Sequence, residues 1–386
     1  MAITGLKSMT SAIVAGQCLK QSWNKTFAIT TVTGHWYSTF QVPGQPVAGV
    51  YGGVTLTNAS GNWTAASSGN IVTVDTIVPH GLFISETVAT NSSWSTNTWM
   101  QSLTGKAIIS VPTPHTFTFA LTVADHGSTV EAGTSANIAP TALQSTSMIG
   151  SSTSAATNYG GAFNPGRICH AEDVASMSKH LVGIEAITAT AASCPSYLML
   201  VDMLLNYPGI SMTSASAQTF VNTVALPRYT SGIGVMAFLE MTTANGTGAQ
   251  NVTITYTNNN GTAGQTVPGT VANVVSGVIS GIPYTGTAVN NFGPFLPLAS
   301  NDQGIRSVQS LQFSGASTLG AASLVLCRPL ATIPLVTVGV ASAKDFMFDI
   351  FTIPRIYDGA CLSFLYFSGL GVANPALYGI LDFVWG

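Results

Sequence analysis

The chain has 386 residues, and only 25 of them are charged, which is 6% where an ordinary soluble protein has roughly 25%. The net charge is −3 and Lys and Arg form no run, so the composition argues against a nucleic-acid partner. The mean hydropathy of +0.39 comes without an uninterrupted apolar stretch of about 18 residues, so no membrane partner is expected.

A protein with so few charged residues can form its surface in two ways. The protein either solvates it with neutral polar groups or buries much of it against neighbouring subunits. The abundance of Thr, Ser and Asn indicates the first, and the second is our working hypothesis. Five widely spaced cysteines without a CxxC pair predict reduced thiols and synthesis in a reducing cytosol.

Residues 1–50 are predicted to form an N-terminal arm. It begins with an amphipathic helix near Leu6–Trp23 and becomes extended around His35–Phe40, where aromatic and β-forming residues cluster. Aromatic anchors often dominate interfaces, so the arm is a candidate for docking onto a partner. Its candidate partner-docking residues are Trp23, Trp36 and Tyr37. The alternative, weighted equally, is that these aromatics close the base of the β domain.

Residues 51–145 are predicted to form an inserted β-rich domain, followed by a linker at 146–160. The runs Ile71–Val78 and Thr116–Val123 alternate polar and apolar residues with the period of a strand. The linker prediction follows from the low-complexity Ser/Thr/Ala sequence after residue 145.

Residues 161–386 are predicted to form the main domain. One packed helix is expected at about Ala171–Ile187, where apolar residues recur at helical spacing. From Tyr197 onward, short apolar runs separated by Gly, Pro and Asn are typical of a sandwich or jelly roll. The predicted fold class is mainly β: a jelly-roll or β-sandwich main domain with one packed helix, an inserted small β domain and an N-terminal helical arm.

A short sequence pattern occurs twice within the main domain. A proline, an arginine and a tyrosine precede a glycine turn and a buried strand in two places. These candidate structural corners are Pro227, Arg228, Tyr229, Pro354, Arg355 and Tyr357. Proline suits a strand start, arginine offers a forked donor for loop carbonyls or a carboxylate, and tyrosine packs with its hydroxyl in water. The favoured interpretation is two equivalent corners of a sandwich, and a paired binding site is the alternative.

Motifs for catalysis and metal binding are absent. All six histidines precede residue 181 without metal-ligand spacing, and GxSxG, Walker and EF-hand sequences do not occur. The carboxylates show no arrangement that marks a glycosidase pair. We therefore expect no enzyme activity, no catalytic residue, no metal and no cofactor.

Three segments of the main domain resemble uncharacterised virion structural proteins of tailed bacteriophages. The resemblance covers roughly residues 160–386 and the N-terminal arm. Its motifs are Val224–Gly232, Gly293–Leu298 with Asp302–Val308, and Ile353–Gly359. A second resemblance, to a small β module that recurs in phage structural proteins, covers part of the insert. Its motifs are Asn70–Val74, Pro79–Leu82, Glu86–Val88 and Thr116–Phe119. That module usually carries Gly-Asp before the valine, and Ser85 and Glu86 stand there instead.

The resemblance implies a particle component without catalytic residues. A major shell protein of a tailed phage needs a long spine helix and an extended charged loop, and the sequence shows neither. We therefore predict a capsid decoration or cement protein that binds the outer shell and stabilises it through protein–protein contacts. Its expected partners are the major capsid protein and copies of itself, as a homotrimer. Its expected location is the capsid surface of the virion, after synthesis in the host cytoplasm.

A receptor- or glycan-binding protein on the tail or head is the alternative function. Aromatic side chains in loops rich in Ser, Asn and Thr stack on sugar rings in many binding proteins. The candidate glycan contacts are Trp63, Trp94 and Trp99.

Overall fold

The computed structural model describes most of the main domain and parts of the remaining chain. The described residues are 5–45, 54–56, 63–76, 87–88, 106–113, 116–130, 136–138, 157–158, 167–168, 170, 177–244, 246, 248–267, 270–274, 281–282, 284–285, 293–347 and 353–386. Among them, no helix is both long and apolar enough to cross a membrane.

The described residues form one α-helix and a series of antiparallel β-strands. In chain order the elements are α1 Leu6–Val14, β1 Cys18–Phe27, β2 His35–Ser38, β3 Gly44–Gln45, β4 Val54–Leu56, β5 Trp63–Ser68, β6 Ile71–Thr76, β7 Thr87–Val88, β8 Lys106–Thr113, β9 Thr116–Ala120, β10 His126–Val130, β11 Ala136–Ile138, β12 Thr157–Asn158, β13 Lys179–Thr188, β14 Ser196–Ser211, β15 Gln218–Thr219, β16 Met236–Thr243, β17 Gly248–Asn258, β18 Gln265–Thr266, β19 Thr270–Val274, β20 Gly281–Ile282, β21 Tyr284–Thr285, β22 Ile305–Phe313, β23 Ala321–Leu335, β24 Ser342–Asp345, β25 Arg355–Ile356, β26 Cys361–Ser368 and β27 Ala376–Trp385.

Three sheets make up the main domain. The central sheet has the strand order β16-β23-β14-β26-β2-β20, with β12 paired to β14. The first outer sheet has the order β24-β13-β27-β1-β3, with β25 on β13, and the second outer sheet has the order β15-β22-β17-β19-β21, with β18 on β17. Strands of the predicted insert form a further sheet, β10-β5-β6-β9-β8-β7, and the pair β11-β4.

A hydrophobic core lies between each outer sheet and the central sheet. The first core joins Trp23 and Leu381 of the first outer sheet to Leu198 and Leu200 of β14. The second core joins the second outer sheet to the far half of the same strand. Its members include Leu204, Leu205, Val252, Ile254 and Leu311. The long strand β14 therefore belongs to two β-sandwiches, which confirms the predicted mainly-β class with a sandwich main domain.

The prediction of a helix over Ala171–Ile187 is wrong for the described part of that range. Residues 179–188 form β13, which pairs with β27 in the first outer sheet. A β-bulge between Leu181 and Gly183 inserts one residue, so the buried Leu181 and Ile184 are three positions apart instead of two. That spacing imitates the helical pattern on which the prediction relied. Residues 171–176 lie outside the described residues.

The N-terminal helix is shorter than the predicted Leu6–Trp23. It ends at Val14, and Gly16 follows with a φ of 76°, a left-handed conformation that suits glycine after a helix. Strand β1 then pairs with β27, and β2 pairs with β26. The strands of the arm are therefore part of the sheets of the main domain, while the predicted domain boundaries stay a prediction.

Candidate functional site

A buried ion pair lies between the two cores. Arg228 donates to both carboxylate oxygens of Asp202, at 2.8 Å from Nε and 2.6 Å from Nη2. Nη2 also donates to the Met203 carbonyl at 2.9 Å, and the Cys361 amide donates to Asp202 Oδ1 at 2.9 Å. The arginine therefore binds a carboxylate, one of the two acceptors predicted for its forked donor, and a backbone carbonyl of strand β14.

The position of Asp202 along β14 explains why it needs these partners. Leu200 before it belongs to the first core and Leu204 after it belongs to the second core. Burial raises the pKa of the Asp202 carboxyl, and the Arg228 charge and hydrogen bonds oppose that rise. A buried carboxylate without such partners would be costly, so the pair fixes the segment around Arg228 to the strand shared by both sandwiches.

The second corner lies against the first. The rings of Tyr229 and Tyr357 meet edge to face, with centroids 5.2 Å apart and an interplanar angle of 85°. The Arg328 guanidinium carbon lies 5.5 Å from the Tyr229 centroid, and that of Arg355 lies 4.6 Å from the Tyr357 centroid. The two copies of the sequence pattern thus contact each other through the edge-to-face tyrosine pair, and each tyrosine ring also carries an arginine contact.

Other ionisable side chains are also buried. Burial raises the pKa of Glu240 to about 8 and lowers the pKa of Lys25 to about 7. His170 contacts the Ala360 carbonyl oxygen at 2.9 Å and the Lys179 Nζ at 3.2 Å. Within the described parts of the chain, no group of three or more His, Cys, Asp and Glu side chains is placed to hold a metal ion. These buried groups leave fewer charges for the surface.

Four loops meet at the end of the first sandwich. They connect β1 to β2, β13 to β14, β23 to β24, and β26 to β27. The loops are residues 28–34, 189–195, 336–341 and 369–375. None of their residues is charged, and we call this surface the uncharged end.

Hydrogen bonds between the loops give the uncharged end a defined shape. The Asn374 amide donates to the Ile29 carbonyl at 2.9 Å, and the Thr190 hydroxyl donates to the Asn374 carbonyl at 3.4 Å. The Gly339 amide donates to the carbonyl of Thr188, the last residue of β13, at 2.9 Å. Each loop is thereby held by a neighbouring loop or by a strand end.

The predicted docking aromatics do not lie on a surface. Trp23, Trp36 and Tyr37 are all buried. Trp23 and Tyr37 belong to the first core, while Trp36 packs on Phe367 in a separate cluster of buried apolar side chains, with ring centroids 5.3 Å apart. The docking prediction for these three residues is therefore wrong, because their indole and phenol rings are needed to fill the interior of the domain.

The side chains of the three candidate glycan contacts lie outside the described part of the chain. Trp94 and Trp99 lie outside the described residues, and Trp63 begins β5 with its side chain outside them. The sequence interpretation overlooked the uncharged end, which the described residues do place on a surface. The sequence indicates this surface in loops such as 336–341, where small and apolar residues replace the polar residues that are typical of a loop.

No model of a known protein family matches the sequence, and no curated protein matches it. Among solved structures, the VP2 subviral particle of infectious bursal disease virus is 11% identical, with 95% of this chain and 80% of that chain covered and a TM-score of 0.18. The Gt strain of the same virus gives 12% identity, the same two coverages and a TM-score of 0.14. T=1 particles derived from infectious bursal virus give 10% identity, coverages of 95% and 77%, and a TM-score of 0.14. TM-scores this low do not establish a shared fold.

Proposed function

We propose that this chain is a structural subunit of a tailed-phage virion. More specifically, it is a capsid decoration or cement protein that binds the outer shell and stabilises it through protein–protein contacts. The observation that carries the proposal is the scarcity of charge at its surface. The resemblance of three main-domain segments to phage virion proteins supports the assignment to a tailed-phage particle.

The surface is poorer in charge than the composition alone indicates. Six charged side chains are buried among the described residues, so at most 19 of the 25 serve a solvent-accessible area of 15446 Å². That leaves about one charge per 800 Å², far below the mixed-charge surface that keeps an isolated protein dispersed. The buried charged residues are Lys25, Arg167, Lys179, Asp202, Arg228 and Glu240.

Such a surface suits a subunit that is largely covered by neighbours. Charged groups are depleted at the centre of protein interfaces, because a charge that loses its water without gaining a partner costs free energy. Neutral Thr, Ser and small apolar side chains lose less hydration free energy when a partner covers them. A cement role needs this kind of surface and no chemistry, and the proposed role is accordingly non-catalytic.

The proposed partners are the major capsid protein and further copies of this chain, arranged as a homotrimer at the capsid surface. A subunit that binds only the assembled shell stabilises it by mass action, since each bound copy must dissociate before its neighbours separate. The symmetry of a shell offers many equivalent positions for such a subunit.

Particles that lack this chain provide the test. Shells assembled without it should release their DNA at a lower temperature than complete particles, as followed with a fluorescent dye for free DNA. Addition of the purified chain should restore the release temperature, whereas an equal concentration of an unrelated protein should not. A purified chain that fails to sediment with the shells and leaves the release temperature unchanged would contradict the proposal.

A further inference from the structure

The uncharged end is large enough to form one side of a stable interface. Its four loops contain 27 residues, none of which is Asp, Glu, Lys, Arg or His, and all but Thr31, Ser193 and Pro375 are at least partly exposed. A standard protein–protein interface uses about 20–30 residues on each side. The loops are already held together by hydrogen bonds, so little conformational entropy remains to be lost when a partner binds.

Large apolar side chains project from this end into solvent. Val336 is 68% exposed, Val340 56% and Leu370 42%. Tyr197 and Tyr378 are exposed on the two sheets beside it, within three residues of the loops. Five of the twelve exposed large apolar residues of the described chain thus lie at or beside one end of one sandwich. Apolar side chains gathered in this way mark interaction sites more often than singly scattered ones do.

The absence of charge restricts what binds there. A partner with charged groups at its contact surface would have to strip them of water, and the uncharged end has no counter-charge to offer. The complementary surface is therefore another uncharged, apolar one. A second copy of this chain carries such a surface, and a contact between identical patches needs no other protein.

We infer that the uncharged end is an interface between copies of this chain, in which the ends of the copies meet around a shared symmetry axis, as in the proposed homotrimer. The inference deepens the proposed structural role and rests on it for its setting in the particle. It assigns the self-association to the four loops and excludes the N-terminal aromatics, which are buried in the domain.

Sedimentation velocity of the purified full-length chain tests the inference. The wild-type chain should sediment as an oligomer at micromolar concentration, and V340K should sediment as a monomer. Val340 lies in an exposed turn, so the lysine reaches solvent without disturbing the core, and an unchanged melting temperature checks this. The matched control is V221K, since Val221 is 49% exposed but lies beside the second outer sheet. V221K should associate like the wild type.

A mixing experiment tests whether the ends of the copies meet. V340K alone and V340E alone should each be monomeric, because like charges meet across the contact. An equimolar mixture should associate again, since opposite charges then face each other. Association of V340K alone at wild-type strength would overturn the inference, as would a mixture that stays monomeric.

The inference and the proposed function fail in different ways. A wild-type chain that is monomeric in solution but sediments with shells would overturn the inference, and the cement role would stand with the shell as the sole partner. A chain that associates through Val340 but is absent from purified particles would contradict the proposed function and leave the interface in place.

Discussion

The indole ring of Trp23 lies directly against Gly379, its cross-strand partner in β27. A Cβ atom on Gly379 would come within 2.6 Å of the ring carbon Cζ2 and would collide with the carbonyl oxygen of Glu185. The glycine thus provides the space into which the tryptophan folds. This contact explains why a residue that the sequence offers as an exposed anchor is instead part of the first core.

Replacement of Gly379 by alanine should therefore destabilise the domain. Because both the ring and a backbone carbonyl would have to move, we expect Gly379→Ala to lower the free energy of unfolding by about 2 kcal/mol or more. Urea unfolding followed by tryptophan fluorescence measures the change. The control is Gly127→Ala, where no atom lies within 4 Å of the added methyl group. Equal stability of the two variants would show that Trp23 does not pack as described.

The contact between Tyr229 and Tyr357 should appear as a coupling energy. A double-mutant cycle with Tyr229→Leu and Tyr357→Leu should give about 0.5–1.5 kcal/mol, the range for edge-to-face aromatic pairs. Thermal or urea unfolding of the four proteins supplies the values. In the control cycle, Tyr229→Leu is combined with Tyr378→Leu. Because Tyr378 lies beside the uncharged end, the two changes in the free energy of unfolding should add. Additivity in both cycles would rule out an energetic link between the corners.

Loss of one partner of the buried ion pair should be costly. Arg228→Met leaves the Asp202 carboxylate buried without its counter-charge, and we expect a loss of about 3–5 kcal/mol. The double variant Asp202→Leu with Arg228→Met should lose less than the sum of its single changes, because neither charge is then left unpaired. Denaturant unfolding at neutral pH measures all three variants.

The exposed pair of Lys20 and Asp382 is the control for this prediction. Its Nζ–Oδ1 distance is 2.9 Å, but the lysine side chain is largely in water. Lys20→Met should change the free energy of unfolding by less than about 1 kcal/mol. If Arg228→Met cost no more than Lys20→Met, Arg228 would not be holding the corner to β14.

Glu240 should make folding stability depend on pH. Burial raises its pKa to about 8 from an ordinary value of 4.5, so between these pH values the folded state keeps a proton that the unfolded state releases. Stability therefore falls as pH rises through this window. The fall amounts to a few kcal/mol, since each pKa unit corresponds to about 1.4 kcal/mol.

The variant Glu240→Gln should remove most of that fall, because the amide keeps its form at every pH in the window. Unfolding free energies measured from pH 5 to pH 8.5 should decline less steeply for the variant, with the gap widest near pH 8. Glu185→Gln, a change at an exposed glutamate of β13, should follow the wild type. A Glu240→Gln profile parallel to the wild type would refute the assignment.

The sequence predicts local structure here where the strand period is regular and fails where it is interrupted. The alternation over Ile71–Val78 and Thr116–Val123 corresponds to β6 as far as Thr76, beyond which 77–78 lie outside the described residues, and to β9 as far as Ala120, where the strand ends. In β13 the bulge beside Leu181 breaks the period of two, and a helix was predicted in its place. A bulge depends on the partner strand, about 200 residues away in this chain, so a local pattern does not reveal it.

The corners show the same division between local and long-range information. Their repeated residues predicted two similar turns and a forked donor at Arg228. That the donor would meet Asp202, 26 residues earlier, and that the tyrosines would touch, depends on how β14, β16 and β26 are arranged in the sheet. The uncharged end likewise combines loops from distant parts of the chain, and only their assembly creates a surface.

The copy number of this chain in gradient-purified particles from its source tests the central claim most directly. Quantitative mass spectrometry, calibrated against the major capsid protein of the same particles, gives that number. A cement subunit that occupies equivalent positions over a shell should be present in hundreds of copies. Its absence from the particles would contradict the virion role, and about a dozen copies or fewer would contradict a place on the shell.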